Sequence, residues 1–209
     1  TTNYILTRMQ NEGGDFTPIL ADAQALGYAE ADPTADVDGL DAADKISILA
    51  ALAFGGRINR EEIYCEGIRN VSAADISYAE KLGFVIKLLA IAKLPESKAA
   101  PGSIQARVHP TLVPVEHPLA SVNDVNNAVL VEGAPIGQVM LYGPGAGEGP
   151  TASAVVSDLM AIAANPTTSA KNELSPNPLL SCSHTHTLEI IPNAEVVTRL
   201  YVRLLVKDT

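Results

Sequence analysis

Tryptophan is absent from this 209-residue sequence and aromatic residues make up 4% of it, although 47% of its residues are hydrophobic. A core of that composition has to be built from Ala, Val, Ile and Leu. Cysteine is almost lacking too: Cys65 and Cys182 are too few for a disulfide framework, which fits a reducing compartment, and the chain is read as cytoplasmic. No apolar run approaches the roughly 20 residues of a membrane-crossing helix. The longest, residues 84–94, is broken by Lys87 and Lys93. Positive charge is scarce, with 14 Lys and Arg against 24 Asp and Glu, a formal net charge of -10. That balance argues against nucleic acid as a partner and against a membrane surface, since both call for a basic face. No charged-then-apolar leader follows Thr1, so no signal peptide is expected, and the opening reads as the interior of a longer chain.

The shortage of cations has an address. From Met9 to Asp44 there are nine acidic residues (Glu12, Asp15, Asp22, Glu30, Asp32, Asp36, Asp38, Asp41 and Asp44) and no Lys or Arg. Helix punctuation runs through this stretch, unlike a disordered acidic tail. Thr17 before Pro18, with Gly27 as the stop, predicts a short helix over residues 17–26. Residues 28–40 carry Pro33, Gly39 and no apolar period, which reads as a loop of functional length. Asp38 then caps a helix over residues 40–54, whose Ile46, Leu49, Ala50, Ala53 and Phe54 keep the helical period. Asp41 and Lys45 lie four apart on one face of it.

Further along, Asn59 caps a helix over residues 60–65. A second helix spans residues 72–82, with Asp75 three residues past Ser72 and Gly83 as the stop. Residues 84–92 form a buried strand, and residues 104–108 and 111–115 are two more strands separated at Pro110. Residues 128–131 and 138–142 form a hairpin around Gly133 and Gly137. A helix follows over residues 152–164, then a Pro-, Asn- and Ser-rich linker, and a β-rich segment over residues 195–206. The predicted class is α+β: a mixed or antiparallel sheet over residues 84–142 with helices packed on one face.

Carboxylates gathered on a loop at a helix start, with one lysine reaching the same place, suit a small cationic or amphoteric ligand. Such neighbours favour the charged form of Lys45, the form of an acid that donates a proton. The bland alternative is a solvated acidic surface with one ordinary i,i+4 pair.

The run Gly27-Tyr28-Ala29-Glu30-Ala31-Asp32-Pro33, followed by Asp36, Gly39, Asp41 and Lys45, closely resembles the signature of the homoserine dehydrogenase family. Residues 1–6, Glu66-Gly67-Ile68, Lys87-Leu88-Leu89 and residues 143–158 resemble further elements of that family, so the likeness covers residues 1–165. The resemblance implies the substrate-binding and dimerisation part of an NAD(P)-dependent oxidoreductase that interconverts L-homoserine and L-aspartate 4-semialdehyde, on the route to threonine and methionine. It implies Lys45 as proton donor, Asp41 as the residue that orients it, and Glu30, Asp36 and Thr1 as substrate-binding residues. Gly145 and Gly147 would approach the cofactor, or else form a packing turn. A homodimer is implied as well.

No dinucleotide-binding βαβ unit with a Gly-rich first turn precedes Thr1, so NAD(P) would be bound mainly by a domain absent from this chain. Residues 166–209 resemble a linker and the opening of an ACT-type regulatory region. A competing expectation is an isolated structural or ligand-binding module with no turnover by itself. Cys182, His184 and His186 alternate, but three ligands without a second cluster predict no metal site. His109 and His117 read as structural, and Cys65 as an inert buried thiol at a helix end.

Overall fold

The computed structural model describes residues 1–95, 102–145, 147–164, 186–204 and 206. Helices α1 (Thr2–Glu12), α2 (Phe16–Ala25), α3 (Thr34–Val37) and α4 (Leu40–Phe54) come first. A short strand β1 (Tyr64–Cys65) and α5 (Ala73–Lys81) follow, then the long strands β2 (Phe84–Lys93) and β3 (Ser103–Pro114). The hairpin β4 (Asn126–Gly133) and β5 (Gly137–Pro144) leads into α6 (Glu148–Ala164), and β6 (Glu189–Ile190) returns late in the chain.

The expected single sheet is two. β2 and β3 pair antiparallel over their whole length, from Phe84 opposite Pro114 to Lys93 opposite Gln105. β1 and β6 add short parallel pairings to the other edge of β3, while β4 and β5 pair only with each other. The two strands expected around Pro110 are one continuous strand. The carbonyls of Ile104 and Val108 accept bonds from Ile191 and Glu66, away from β2. Backbone groups of even-numbered residues in β3 therefore face the edge that β1 and β6 cover only in part. Pro110 and Pro114 fall on that edge, beyond the pairings of β1, so their missing N–H groups interrupt no ladder bond.

Alternation along β2 and β3 decides which face is covered. Ile86, Leu88, Ile104, Ala106, Val108 and Leu112 point to the helical side. There Ile5, Leu6 and Met9 of α1, Ile19 and Ala23 of α2 and Ile76 and Ala79 of α5 form one cluster. Ala43 and Ala50 of α4 form a second with Ile104, Ala106 and Val108. The opposite face carries Val85, Leu89 and Val113, packed against Leu119 and Ala120 of the turn Pro118–Ser121. Helices on one face, as the sequence pattern predicts, is what the chain builds.

Several boundaries shift, each for a local reason. α1 is not among the expected helices: Thr1 makes no side-chain cap bond and no acidic residue stands in the first turn, so the usual start signals are missing although Ile5, Leu6 and Met9 are buried. Asp15, not Thr17, sits at the N-cap of α2, and Leu26 lies at its C-cap. α4 has the expected span, but Gly39 occupies its N-cap at φ 81°, leaving the Asp38 side chain for another partner. Asn59 does cap a turn, yet only Arg60–Glu62 are helical before the chain enters β1, so Cys65 lies in a strand. α6 begins at Glu148, four residues earlier than the sequence suggests. The stretch around residues 196–204 forms no strand among the described residues and is largely exposed, with Val197 97% accessible: no neighbouring strand offers it a ladder. The Pro-, Asn- and Ser-rich linker, with Cys182 and His184, lies outside the described residues.

That late segment is nevertheless tied down at α5. Ser72 and Asp75 form the expected capping box. The Asp75 carboxylate also accepts a bond from Tyr201 at 3.0 Å and pairs with Arg203 at 3.1 Å. Burial alone would raise the Asp75 pKa, but the bonds from Ser72 and Tyr201 and the Arg203 charge outweigh it and hold the group below its ordinary value. A carboxylate depressed in the fold lends stability above its unfolded pKa of about 4 and loses it as pH falls further. Asp75→Asn is therefore expected to lower Tm at pH 7 and to make the acid limb of the Tm–pH curve shallower than in the wild type. Calorimetry between pH 2.5 and 7, about the range over which a carboxylate titrates, checks it.

Candidate active site

The acidic stretch is folded by cations borrowed from its flanks. Arg8, just before it, binds Glu12 and Asp22. Arg60 pairs with Asp44 at 2.6 Å and donates to the Leu40 carbonyl at 3.1 Å, fixing the start of α4. Arg69 pairs with Asp38 and reaches the Thr34 hydroxyl. The Thr34 hydroxyl and then its N–H, the latter 3.1 Å from the Asp32 carboxylate, lower the Asp32 pKa. These contacts neutralise the carboxylates that shape the loop.

Backbone packing fixes the loop more firmly than the exposed ion pairs do, since such pairs contribute about 0–1 kcal/mol each. The Ile68 N–H donates to the Val37 carbonyl at 2.8 Å, and the Cys65 thiol donates to the Asp38 carbonyl at 3.2 Å. Burial raises the Cys65 pKa, which keeps the thiol protonated for that role. Gly67 lies so close beneath that a Cβ there would stand 2.1 Å from the Val37 oxygen and 2.3 Å from the Asp38 Cα. Only glycine permits this approach.

What remains is a small cluster. Lys45 pairs with Asp41 one turn earlier on α4, and its side chain stays 70% exposed. The Thr1 hydroxyl lies 2.6 Å from Asp36 Oδ2 and 2.7 Å from the Tyr28 carbonyl, so its one proton serves both. The half-buried Thr1 backbone nitrogen lies within electrostatic reach of Asp36, Lys45 and Asp41. Four of the sequence-predicted site residues therefore lie near one another as two bonded pairs, Thr1 with Asp36 and Asp41 with Lys45. Glu30 is exposed: Gln24 fixes its carbonyl at 2.9 Å, and no described residue takes up its carboxylate. Tyr28, whose ring packs tilted against Tyr4 at 4.9 Å between centroids, was given no site role in the sequence reading, yet its carbonyl accepts from Thr1.

Gly145 and Gly147 are not brought to this cluster by any hydrogen bond or packing contact among the described residues. A Cβ at Gly145 would meet the Asn127 side chain at 2.0 Å, so the backbone between the hairpin and α6 passes close to that residue. The described residues contain no βαβ dinucleotide-binding unit, the two parallel pairings along one edge of β3 being two residues long each, so they do not fit a bound dinucleotide by themselves. No group of three or more His, Cys, Asp or Glu able to hold a metal occurs among them. His186 stands beside Gly56. No helix among them is long and apolar enough to cross a membrane.

Residues 1–160 match the family model described as homoserine dehydrogenase. A homoserine dehydrogenase from a Synechocystis strain is 61% identical over the whole of this chain, which spans 48% of that relative's length. The crystal structure of a homoserine dehydrogenase from Thiobacillus denitrificans superposes with a TM-score of 0.80 at 43% identity, covering 91% of this chain and 43% of that one. A hyperthermophilic archaeal homoserine dehydrogenase solved in complex with NADPH matches at a TM-score of 0.61 and 32% identity, over 78% of this chain and 44% of its own.

The clamp beneath the acidic loop makes Gly67 a sensitive position. Gly67→Ala is expected to destabilise the fold by about 1–3 kcal/mol, because the loop backbone must shift to admit the methyl group. Gly133, with nothing within 4 Å of an added Cβ, is the control, and its Ala variant should stay within about 0.5 kcal/mol of the wild type. Urea unfolding of both variants measures the difference.

Proposed function

The chain belongs to the homoserine dehydrogenase family, and we propose that it is the substrate-binding and catalytic part of an enzyme interconverting L-homoserine and L-aspartate 4-semialdehyde, feeding threonine and methionine synthesis. The observation that carries this reading is the sorting of charge. Arginines occupy Glu12, Asp22, Asp38 and Asp44, while two bonded pairs, Thr1 with Asp36 and Asp41 with Lys45, are left near one another.

Both partners of the reaction are amino acids, with an ammonium group for carboxylates to hold and an oxygen at the reacting carbon. Glu30 and Asp36 take the ammonium, and the Thr1 hydroxyl adds a polar contact. Lys45 donates a proton to the carbonyl oxygen as it becomes a hydroxyl, and takes it back in the reverse direction. Asp41 orients the lysine through their ion pair. An exposed pair of this kind stabilises little, which leaves placement of the ammonium as its contribution. The redox partner is NAD(P), held mainly by a domain outside this chain, which spans about half the length of the curated relatives it matches.

The exposed apolar residues Val129, Val131 and Leu141 of the hairpin and Val156, Leu159 and Ile162 of α6 support further covering surfaces. We read these as the faces buried against the nucleotide-binding domain and in a homodimer. The net charge of -10 is in keeping with a small-molecule substrate rather than a nucleic-acid or membrane partner, and we read the enzyme as cytoplasmic.

Lys45→Ala in the full-length protein is expected to lower kcat by about 10² to 10⁴, the usual contribution of a positioned general acid. NAD(P)H-linked turnover of L-homoserine measures it, and unchanged turnover would refute the assignment. The 209 residues alone should show none, whereas measurable turnover by them would place the nucleotide site within this chain.

A further inference from the structure

Lys87 lies outside the acidic cluster, yet it is 5% exposed and among the most buried charges of the molecule. Burying an ammonium is costly unless each N–H finds an acceptor. Three do so here: Asn3 Oδ1 at 3.1 Å, Asn123 Oδ1 at 3.1 Å and the Val122 carbonyl. Burial lowers its pKa to about 8 and the charge of Asp124 opposes that shift, so near neutral pH the group keeps all three donors.

Asn3 is the shared element. Its Oδ1 accepts from Lys87, while its Nδ2 donates to the carbonyls of Asp124 at 3.2 Å and Asn126 at 3.0 Å. Thr7, one turn further along α1, accepts the Asp124 N–H at 3.1 Å. The first turn of α1 is thus fastened to residues 122–126 and, through Lys87, to the middle of β2. Thr1 is two residues before Asn3. Its own carbonyl accepts the Ile5 N–H at 3.0 Å, so the turn that contains Asn3 also sets the direction of the Thr1 side chain toward Asp36. The apolar contacts of Ile5, Leu6 and Met9 fix the body of the helix but do not reach that first residue.

We propose that Lys87 is a positioning residue, which acts through the Asn3 amide to lock the first turn of α1 and thereby aim the Thr1 hydroxyl at Asp36 and the substrate. The link to substrate rests on the functional reading above, whereas the lock itself does not.

Two measurements on the full-length protein separate them. Amide hydrogen exchange reads the lock directly: Asn3→Ala and Lys87→Met should each speed exchange of the Ile5 amide by about tenfold, the loss of one net hydrogen bond, with Gly13, at the other end of α1, unchanged. Unchanged Ile5 protection in a folded Asn3→Ala variant would overturn the proposal; that variant removes the link while Lys87 keeps its other two acceptors, should Lys87→Met fail to fold. Steady-state kinetics reads the consequence. Asn3→Ala and Thr1→Val should each raise KM for L-homoserine by about tenfold, with kcat and the nucleotide KM nearly unchanged, and the double variant should be no worse than either, because the two act as a unit. Additive effects would overturn the route through Thr1. A wild-type protein that does not oxidise homoserine would refute the functional reading while leaving the exchange result to decide the lock.

Discussion

From Met9 to Asp44 the chain carries nine carboxylates and no cation of its own, and this constraint governs much of the rest. Such a stretch repels itself and stays extended unless positive charge arrives from elsewhere. It does so from both sides: Arg8 before it, and Lys45, Arg60 and Arg69 after it. Exposed ion pairs are individually weak, so they select an arrangement rather than hold it. Holding falls to backbone contacts between residues 65–68 and the Val37–Asp38 peptide, with Gly67 as the point of closest approach. With those carboxylates paired to arginines, Asp41 keeps Lys45 and Asp36 keeps the Thr1 hydroxyl as partner.

The sheet serves that arrangement. β1 is two residues long, yet its pairing with Arg107 and Val108 carries residues 65–69 beneath the loop. α4 can lie close to β3 because alanines, Ala43 and Ala50, face Ile104, Ala106 and Val108. Close packing of small residues fixes the start of α4, and with it Asp41 and Lys45. A chain poor in aromatic residues obtains its precision in this way, through short distances between small side chains. On the other side, Asn3 and Lys87 join α1 to β2 and to the segment before the hairpin, so both halves of the cluster hang from the same two strands.

Legibility followed the range of the interaction. The Ser72–Asp75 capping box, the span of α4 and the hairpin around Gly133 and Gly137 were readable because each depends on residues a few positions apart. The two proline-separated strands of β3 were misread as two because the cost of a missing N–H depends on which edge it faces, and that is settled by strands distant in sequence. The late β-rich segment was misread because propensity without a neighbour makes no ladder. The neighbour of Gly145, Asn127, likewise has no local signature in the sequence.

By itself the sequence determined the class of fold, the Gly27 to Lys45 signature with its family likeness, and the pairing of Asp41 with Lys45, since i,i+4 spacing on a helix settles that contact without further help. Tertiary structure alone decided which of the nine carboxylates are spent on arginines, and that Thr1 joins Asp36 across the intervening chain. It alone turned Lys87, an interruption in an apolar run, into the buried anchor of α1. The reason is physical: local spacing fixes contacts within one helix or turn, whereas the partner of a charge or an N–H on another element depends on how the elements pack.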